Sequence, residues 1–87
     1  MDRFRLEIVT PEGRLFDRSS SSVEIPGVEG RFAVLKGHMN LIASVEPGIV
    51  KICESELLSE SFVVFDGTVE VNGSNCAILV EKAINVT

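Results

Sequence analysis

Few side chains in this sequence have the types and spacing that catalysis or metal binding requires. His38 is the single histidine among 87 residues, and Cys53 and Cys76 are the two cysteines. A structural zinc site needs about four nitrogen or sulfur ligands at close spacing, which these residues do not supply. Two cysteines also fall short of the disulfide framework of small secreted domains. We therefore predict no metal, no cofactor and reduced thiols.

His38 is the candidate general base. It follows Gly37 in a predicted loop, and a general base needs a positioned proton donor or an orienting carboxylate. Glu29 or Asp66 could approach it through the fold, although the spacing along the chain does not indicate this. A loop or interface histidine is the favoured interpretation. A small enzyme that uses His38 is the least favoured of three alternatives for the function.

The other candidates for chemistry also have simpler explanations. Both cysteines lie in apolar stretches, where a buried thiol is unreactive. The segment Pro26 to Gly30 contains two glycines beside a predicted strand, but no Gly-Lys-Ser/Thr sequence and no helix follow them. It is therefore predicted to be a tight connection between strands and not a phosphate-binding loop. We predict no catalytic residue.

The elements that hold these residues are predicted to be strands. Apolar and polar residues alternate from Phe4 to Ile8 and from Leu41 to Val45, which is typical of half-buried strands. No stretch of about a dozen residues keeps helical spacing, and turn signals recur about every 8–12 residues. We predict one all-β domain, a small two-sheet β-sandwich or flattened barrel of about eight to ten strands with little or no helix.

Three local features refine this prediction. Asp66-Gly67 is a strong hairpin dipeptide and is predicted to join two paired strands. The run from Ser19 to Ser22 is predicted to be an exposed strand start, and the polar segment from Glu54 to Glu60 a hairpin loop.

The charge balance excludes several classes of partner. The net charge is −5, and the lysines and arginines form no cluster, so nucleic acid is an unfavourable ligand. The N-terminal stretch alternates charged and apolar residues without an apolar signal core. No apolar run approaches the roughly 18 residues of a membrane span. These features predict a cytosolic or peripheral protein without direct membrane insertion.

Excess apolar surface points to protein partners. The mean hydropathy of +0.28 is high for so small a chain, because a small domain has little interior in which to hide apolar groups. Phe62–Phe65 and Cys76–Val80 are apolar without alternation, which indicates strands covered on both faces. The cover is either a loop or chain end, or a docked partner, and the hydropathy favours the partner.

An ordered set of motifs carries a family resemblance over essentially the whole chain. The central set is Pro26-Gly27-x-Glu29-Gly30-x-Phe32-x-Val34-Leu35-x-Gly37-His38 followed by Leu41-Ile42-x-x-Val45-x-Pro47-Gly48-x-Val50; the opening residues 4–16 and the closing residues 66–80 fit the same pattern. The sequence closely resembles the N-terminal β-sandwich of the epsilon subunit of F-type ATP synthases.

The resemblance implies a specific role. In this family epsilon is a non-catalytic rotor subunit of the central stalk. It packs against the gamma subunit and on the polar loops of the c-ring, so that torque from proton or sodium flow reaches the catalytic alpha/beta hexamer indirectly. The resemblance also implies a peripheral position at the cytoplasmic face of the bacterial inner membrane. A stand-alone β-sandwich adaptor that binds one protein shares every other feature and is the second alternative.

The resemblance also assigns residues to two surfaces. Those expected to face the c-ring are Glu29, Arg31, Gly37, His38 and Met39, and those expected to face gamma are Thr10, Ala43 and Val45. The family commonly has an acidic residue where this chain has Arg31, so a correspondingly different c-ring loop is expected. Most bacterial members continue into two C-terminal helices, whereas this sequence ends at Thr87. The expectation is one domain, 1–87, that couples the rotor without a helical brake.

Overall fold

The computed structural model describes residues 3–87; the first two residues, on which part of the signal-peptide argument rests, lie outside this range. All ten elements of the described chain are strands, and no helix there has the length and apolarity to cross a membrane. The strands are β1 (Phe4–Thr10), β2 (Gly13–Ser20), β3 (Ser22–Gly27), β4 (Gly30–Leu35), β5 (Leu41–Val45), β6 (Gly48–Cys53), β7 (Ser59–Val64), β8 (Gly67–Asn72), β9 (Asn75–Val80) and β10 (Ala83–Asn85).

The strands form two five-stranded halves of one continuous sheet. One half runs in the order β5-β8-β9-β1-β2 and the other in the order β4-β3-β6-β7-β10. The halves are joined at a single bridge, where Gly27 of β3 lies opposite Val45 of β5. All pairs are antiparallel except β1 with β9. This nearly closed, barrel-like arrangement confirms the prediction of an all-β sandwich or flattened barrel.

The core lies between the two halves and follows from the alternation of apolar residues. Phe4, Leu6 and Ile8 of β1 point inward, and the buried alternate residues of the other strands meet them. At one end Phe16 and Phe62 pack edge to face with ring centroids 6.1 Å apart. This arrangement suits the quadrupoles of the two rings, and it ties β2 to β7.

Side chains close the open seam between β2 and the β6–β7 hairpin. Arg18 of β2 forms ion pairs with Glu60 and, at 3.1 Å, with Glu54, while its guanidinium lies 4.5 Å from the centre of the Phe16 ring. Arg3 donates hydrogen bonds to the carbonyls of Glu54 and Ser19. The seam is therefore held by charge and stacking where backbone pairing stops.

Two local predictions are wrong. Asp66-Gly67 does not close a hairpin: β7 pairs with β6 and β10, whereas β8 pairs with β5 and β9. Gly67 instead allows β8 to approach β9 closely, because a Cβ at this position would lie 2.0 Å from the carbonyl oxygen of Leu79. The serine run is not fully exposed either, since Ser20 is completely buried at the end of β2. The hairpin loop predicted over Glu54 to Glu60 is confirmed for residues 54–58, whereas Ser59 and Glu60 already pair with β6 as the start of β7.

Candidate protein-binding surfaces

His38 lies in the exposed loop between β4 and β5. Its backbone N–H donates to the Leu35 carbonyl, and its ring Nδ1 lies 2.8 Å from the carbonyl oxygen of Met39. Within residues 3–87 no carboxylate forms an ion pair or hydrogen bond with this ring. Nor do three His, Cys, Asp or Glu side chains of that range gather as a metal-ligand set. The loop therefore presents a histidine bonded locally to its own backbone.

Cys76 is a core residue of β9. Burial raises the pKa of its thiol to about 12, because an apolar surrounding disfavours the thiolate. Cys53, at the end of β6, is half-buried, and its thiol donates to the carbonyl of Ser55 at 3.3 Å. The two cysteines are free, and the interpretation of Cys76 as an inert core thiol agrees with its burial.

A groove of about 560 Å³ runs beside the β3–β4 turn. Its lining consists of residues 27–32 on one side and residues 41–44 of β5 on the other. Val28 and Ile42 are its exposed apolar residues, and Ile42 is 75% exposed although it is a large aliphatic side chain in a strand. An aliphatic side chain this exposed beside a concave surface is a feature of protein-interaction sites.

The residues predicted to face the c-ring fall into two groups. Glu29 and Arg31 line the groove, and Arg31 lies 3.6 Å from Glu24 in an exposed ion pair. The others belong to the loop that follows β4. There Gly37 has a φ of +86°, which a residue with a side chain rarely adopts, and Met39 is 82% exposed.

The residues predicted to face gamma are mostly interior. Val45 is buried in the core, and Ala43 is half-buried against it. Thr10 is buried at the end of β1, where its hydroxyl accepts the Glu12 N–H at 3.1 Å and so stabilises the β1–β2 turn. Ile42 and Ser44 alternate with them and point outward. The period-two alternation of the sequence could have predicted which of these residues point inward, because successive side chains of a strand lie on opposite faces and one face packs in the core.

A second apolar surface crosses β10, β7 and β6 on the outside of the other half. Val63 is paired with Ile49 on one side and with Ile84 on the other, so the three side chains form one row. Ile49 and Ile84 are both exposed. In β9 the residues outside the core alternation are Ala77 and Leu79. The strands that lack sequence alternation thus have one buried face and one partly exposed apolar face.

Fold and surfaces together define the class: a small β-sandwich domain with separate exposed apolar surfaces. The chain belongs to the family of the ATP synthase delta/epsilon chain β-sandwich domain, whose family model matches residues 3–86. The resemblance inferred from the sequence motifs is therefore confirmed.

Curated relatives agree with this assignment. The ATP synthase epsilon chains of a Nitratiruptor species and of Sulfurimonas denitrificans are 42% identical over 84 residues and 37% identical over 86 residues. The matches cover 97% and 99% of this chain but 65% and 66% of those relatives, so the chain spans slightly less than two thirds of their length.

The similarity to solved structures is one of fold. A chain in the structure of the Euglena gracilis mitochondrial ATP synthase, OSCP/F1/c-ring, matches 95% of this chain with a TM-score of 0.89 and 20% identity. The match covers 53% of that chain. A chain of the Tetrahymena thermophila mitochondrial ATP synthase central stalk and c-ring matches 92% with a TM-score of 0.78, also at 20% identity, and is itself covered to 64%.

Proposed function

We propose that this chain is a non-catalytic central-stalk subunit of an ion-driven ATP synthase, which links the gamma subunit to the c-ring. Its proposed position is peripheral, at the cytoplasmic face of a bacterial inner membrane. The observation that carries the proposal is the match of the family model over residues 3–86. The relatives at 42% and 37% identity are themselves epsilon chains of ATP synthase.

The shape of the domain suits a coupling element. Torque passes through a subunit only if the subunit resists deformation, and here most strands are paired on both edges around one core. Such a body must also hold two partners at once, which requires separate contact surfaces. The outer face of β5, β8 and β9, with Ile42 and Leu79 exposed, and the row Ile49–Val63–Ile84 are two such surfaces on different halves of the sheet.

We assign the gamma contact to the outward residues next to the predicted set. Thr10 and Val45 have buried side chains and act through the backbone they shape. Ile42 is the exposed anchor of β5, and Leu79 lies on the outer face of β9, two strands away through β8. When a partner covers a large exposed aliphatic side chain, apolar surface is removed from water, and this favours the binding free energy.

The c-ring contact is assigned to the turn and loop at the two ends of β4. Glu29 and Arg31 offer charges of both signs, and Gly37, His38 and Met39 form an exposed loop. Polar loops of a ring are recognised by such charged and hydrogen-bonding groups, which set specificity more than affinity. Arg31 favours an acidic group on the ring loop.

Reconstitution tests the function. The chain is added to epsilon-depleted ATP synthase of the same organism in sealed vesicles, and ion-driven ATP synthesis is measured. We expect the chain to restore synthesis, and a variant with Ile42→Thr to require a higher concentration. An unchanged rate at saturating chain would reject the coupling role and leave the alternative of a stand-alone adaptor.

A further inference from the structure

The edge strand β4 has an unpaired side. β4 pairs with β3 over its whole length, and it has no second strand partner among the described residues. The strands at the two ends of the sheet order differ: β2 carries Arg14, Asp17 and Arg18 and lies against a bulge in its pairing with β1, and β10 has three residues. Charges, bulges and shortness are the features that keep edges from pairing with other chains. Over Phe32 to Leu35, β4 has none of them.

The direction of the free backbone groups follows from the pairing at the β3–β5 bridge. Val28 N–H donates to the Ser44 carbonyl at 3.0 Å, and Glu46 N–H donates to the Pro26 carbonyl at 2.9 Å. The Pro26 carbonyl and the Val28 N–H therefore point toward β5, and the backbone N–H and carbonyl groups of Gly27 point toward Gly30 across the turn. Because hydrogen-bonded and non-hydrogen-bonded pairs alternate in an antiparallel ladder, Phe32 and Val34 bond to β3.

The N–H groups of Arg31, Ala33 and Leu35 consequently point away from the sheet, together with the carbonyls of Arg31 and Ala33. The Leu35 carbonyl is already used by His38 N–H at 3.1 Å. Pro26, which has no N–H, stands opposite Arg31, a position where the ladder requires no donor from it. The free side thus offers a regular series of donors and acceptors spaced two residues apart.

We propose that β4 is a strand-accepting edge, which binds an extended segment of another protein by adding it to the sheet. Main-chain hydrogen bonds hold such a segment, and alternate side chains give specificity. The outward row of β4 is Arg31, Ala33 and Leu35. The segment therefore has an acidic residue beside Arg31 and apolar residues beside the other two. The groove shares Arg31 and Phe32 with β4 and receives side chains from one end of the segment.

A second copy of the chain fits this edge less well. Two β4 strands paired in antiparallel fashion about Ala33 would place each Arg31 opposite Leu35, so the second copy would bring no carboxylate to the guanidinium beyond Glu24 of the same chain, 3.6 Å away. Cross-strand pairs of opposite charge or of apolar residues are the ones that stabilise a sheet. This inference goes beyond the proposed function and does not rest on the identity of the gamma or c-ring contacts.

The experiment is an amide-exchange measurement by NMR on the whole chain, with a short blocked peptide of alternating threonine and valine that carries one glutamate to face Arg31. At peptide concentrations of ten times Kd, exchange at Arg31 and Ala33 slows about tenfold. Exchange at Phe32 and Val34, already bonded to β3, stays unchanged. The same peptide with lysine in place of glutamate is the control and binds more weakly.

Ala33→Pro is the matched backbone variant, because it removes one outward N–H and no ladder hydrogen bond. It abolishes the slowing, whereas Ala33→Ser retains it. If Ala33→Pro does not fold, the alternating exchange pattern of the unmodified chain still decides. Slowing at β2 instead of β4, equal binding of the lysine peptide, no slowing at all, or concentration-dependent dimers protected at the same amides would each overturn the proposal.

Discussion

Gly27 of β3 lies opposite Val45 of β5, and this pair is the single bridge between the two halves of the sheet. A Cβ on Gly27 would lie 2.8 Å from the Gly30 carbonyl oxygen and 2.9 Å from Cε1 of Phe32. The absence of a side chain is therefore a packing requirement at the corner where the two halves meet.

Gly27→Ala should destabilise the domain by about 1–3 kcal/mol, because the added methyl group overpacks the corner against backbone. Urea unfolding followed by circular dichroism measures this. Ser44→Ala, at an exposed position on the neighbouring strand, is the control and should change the free energy of unfolding by less than about 0.5 kcal/mol. Equal midpoints for Gly27→Ala and the unmodified chain would show that the corner has room.

Ile42 and Val45 should separate binding from folding. Ile42→Thr keeps the β-branched shape and removes exposed apolar surface, so it should weaken gamma binding about tenfold with little effect on stability. Val45→Ala should cost about 2 kcal/mol of stability through a core cavity. Isothermal titration with gamma and urea unfolding give the two quantities. Leu57→Ser, at a 94% exposed site on the β6–β7 hairpin, is the control and should change neither. Unaltered gamma binding by Ile42→Thr would remove β5 from the interface.

The Arg18 seam should give the domain a pH-dependent stability on the acidic side of neutrality. A hydrogen bond with Glu60, with a smaller effect of burial, raises the pKa of Glu54 above its usual 4.5. The folded chain thus holds this proton more tightly than the unfolded chain. The resulting stability is fully present below about pH 4.5 and is lost as the pH rises through the raised pKa. In thermal melts above about pH 4.5, Glu54→Gln should abolish this loss of stability with rising pH. If the loss persists in the variant, a group other than Glu54 causes it.

Asp17 should give a pH dependence of stability opposite in direction to that of Glu54. A hydrogen bond from Arg5 holds the pKa of Asp17 below its usual 3.8. Its stabilising contribution is present above about pH 3.8 and is lost as the pH falls through the lowered pKa. Asp17→Asn should therefore make the melting temperature less sensitive to acid below that pH, by a small amount because the pair is exposed to solvent. A melting curve with the same acid sensitivity as the unmodified chain would contradict this.

The two cysteines should differ in reactivity. Because the pKa of the buried Cys76 thiol is about 12, iodoacetamide at about pH 8 should modify it at least about a hundredfold more slowly than Cys53. Mass spectrometry of the labelled chain measures both rates. In denaturant the rates should converge, and rapid labelling of Cys76 in the folded chain would show that β9 opens.

The alternation of side chains predicted the fold from sequence, because each strand has one face in a shared core. Leu6, Val23 and Val71 are buried as period-two positions require. Asp66-Gly67 misled because a dipeptide specifies a local turn and not which strands pair: here the chain crosses between halves, and Phe65 N–H bonds to the Lys82 carbonyl instead of closing a hairpin.

The surfaces were less predictable. The motif identified the family, and so the region around β4 and β5, but the gamma-facing residues assigned through it lie on the inner side of their strands. Ile42 and Val45 are three positions apart and therefore on opposite faces of β5, so the alternation itself places Val45 in the core and leaves Ile42 75% exposed. The row Ile49–Val63–Ile84 needs the order β6-β7-β10. Pairings between distant segments cannot be read from local patterns.

Association with the gamma subunit is the property that a central-stalk role requires first. The chain is mixed with purified gamma subunit of the same organism at micromolar concentration and analysed by size-exclusion chromatography with light scattering. We expect a stable one-to-one complex, weakened by Ile42→Thr and retained by Leu57→Ser. Separate elution of two monomers, with both proteins folded by circular dichroism, would contradict it.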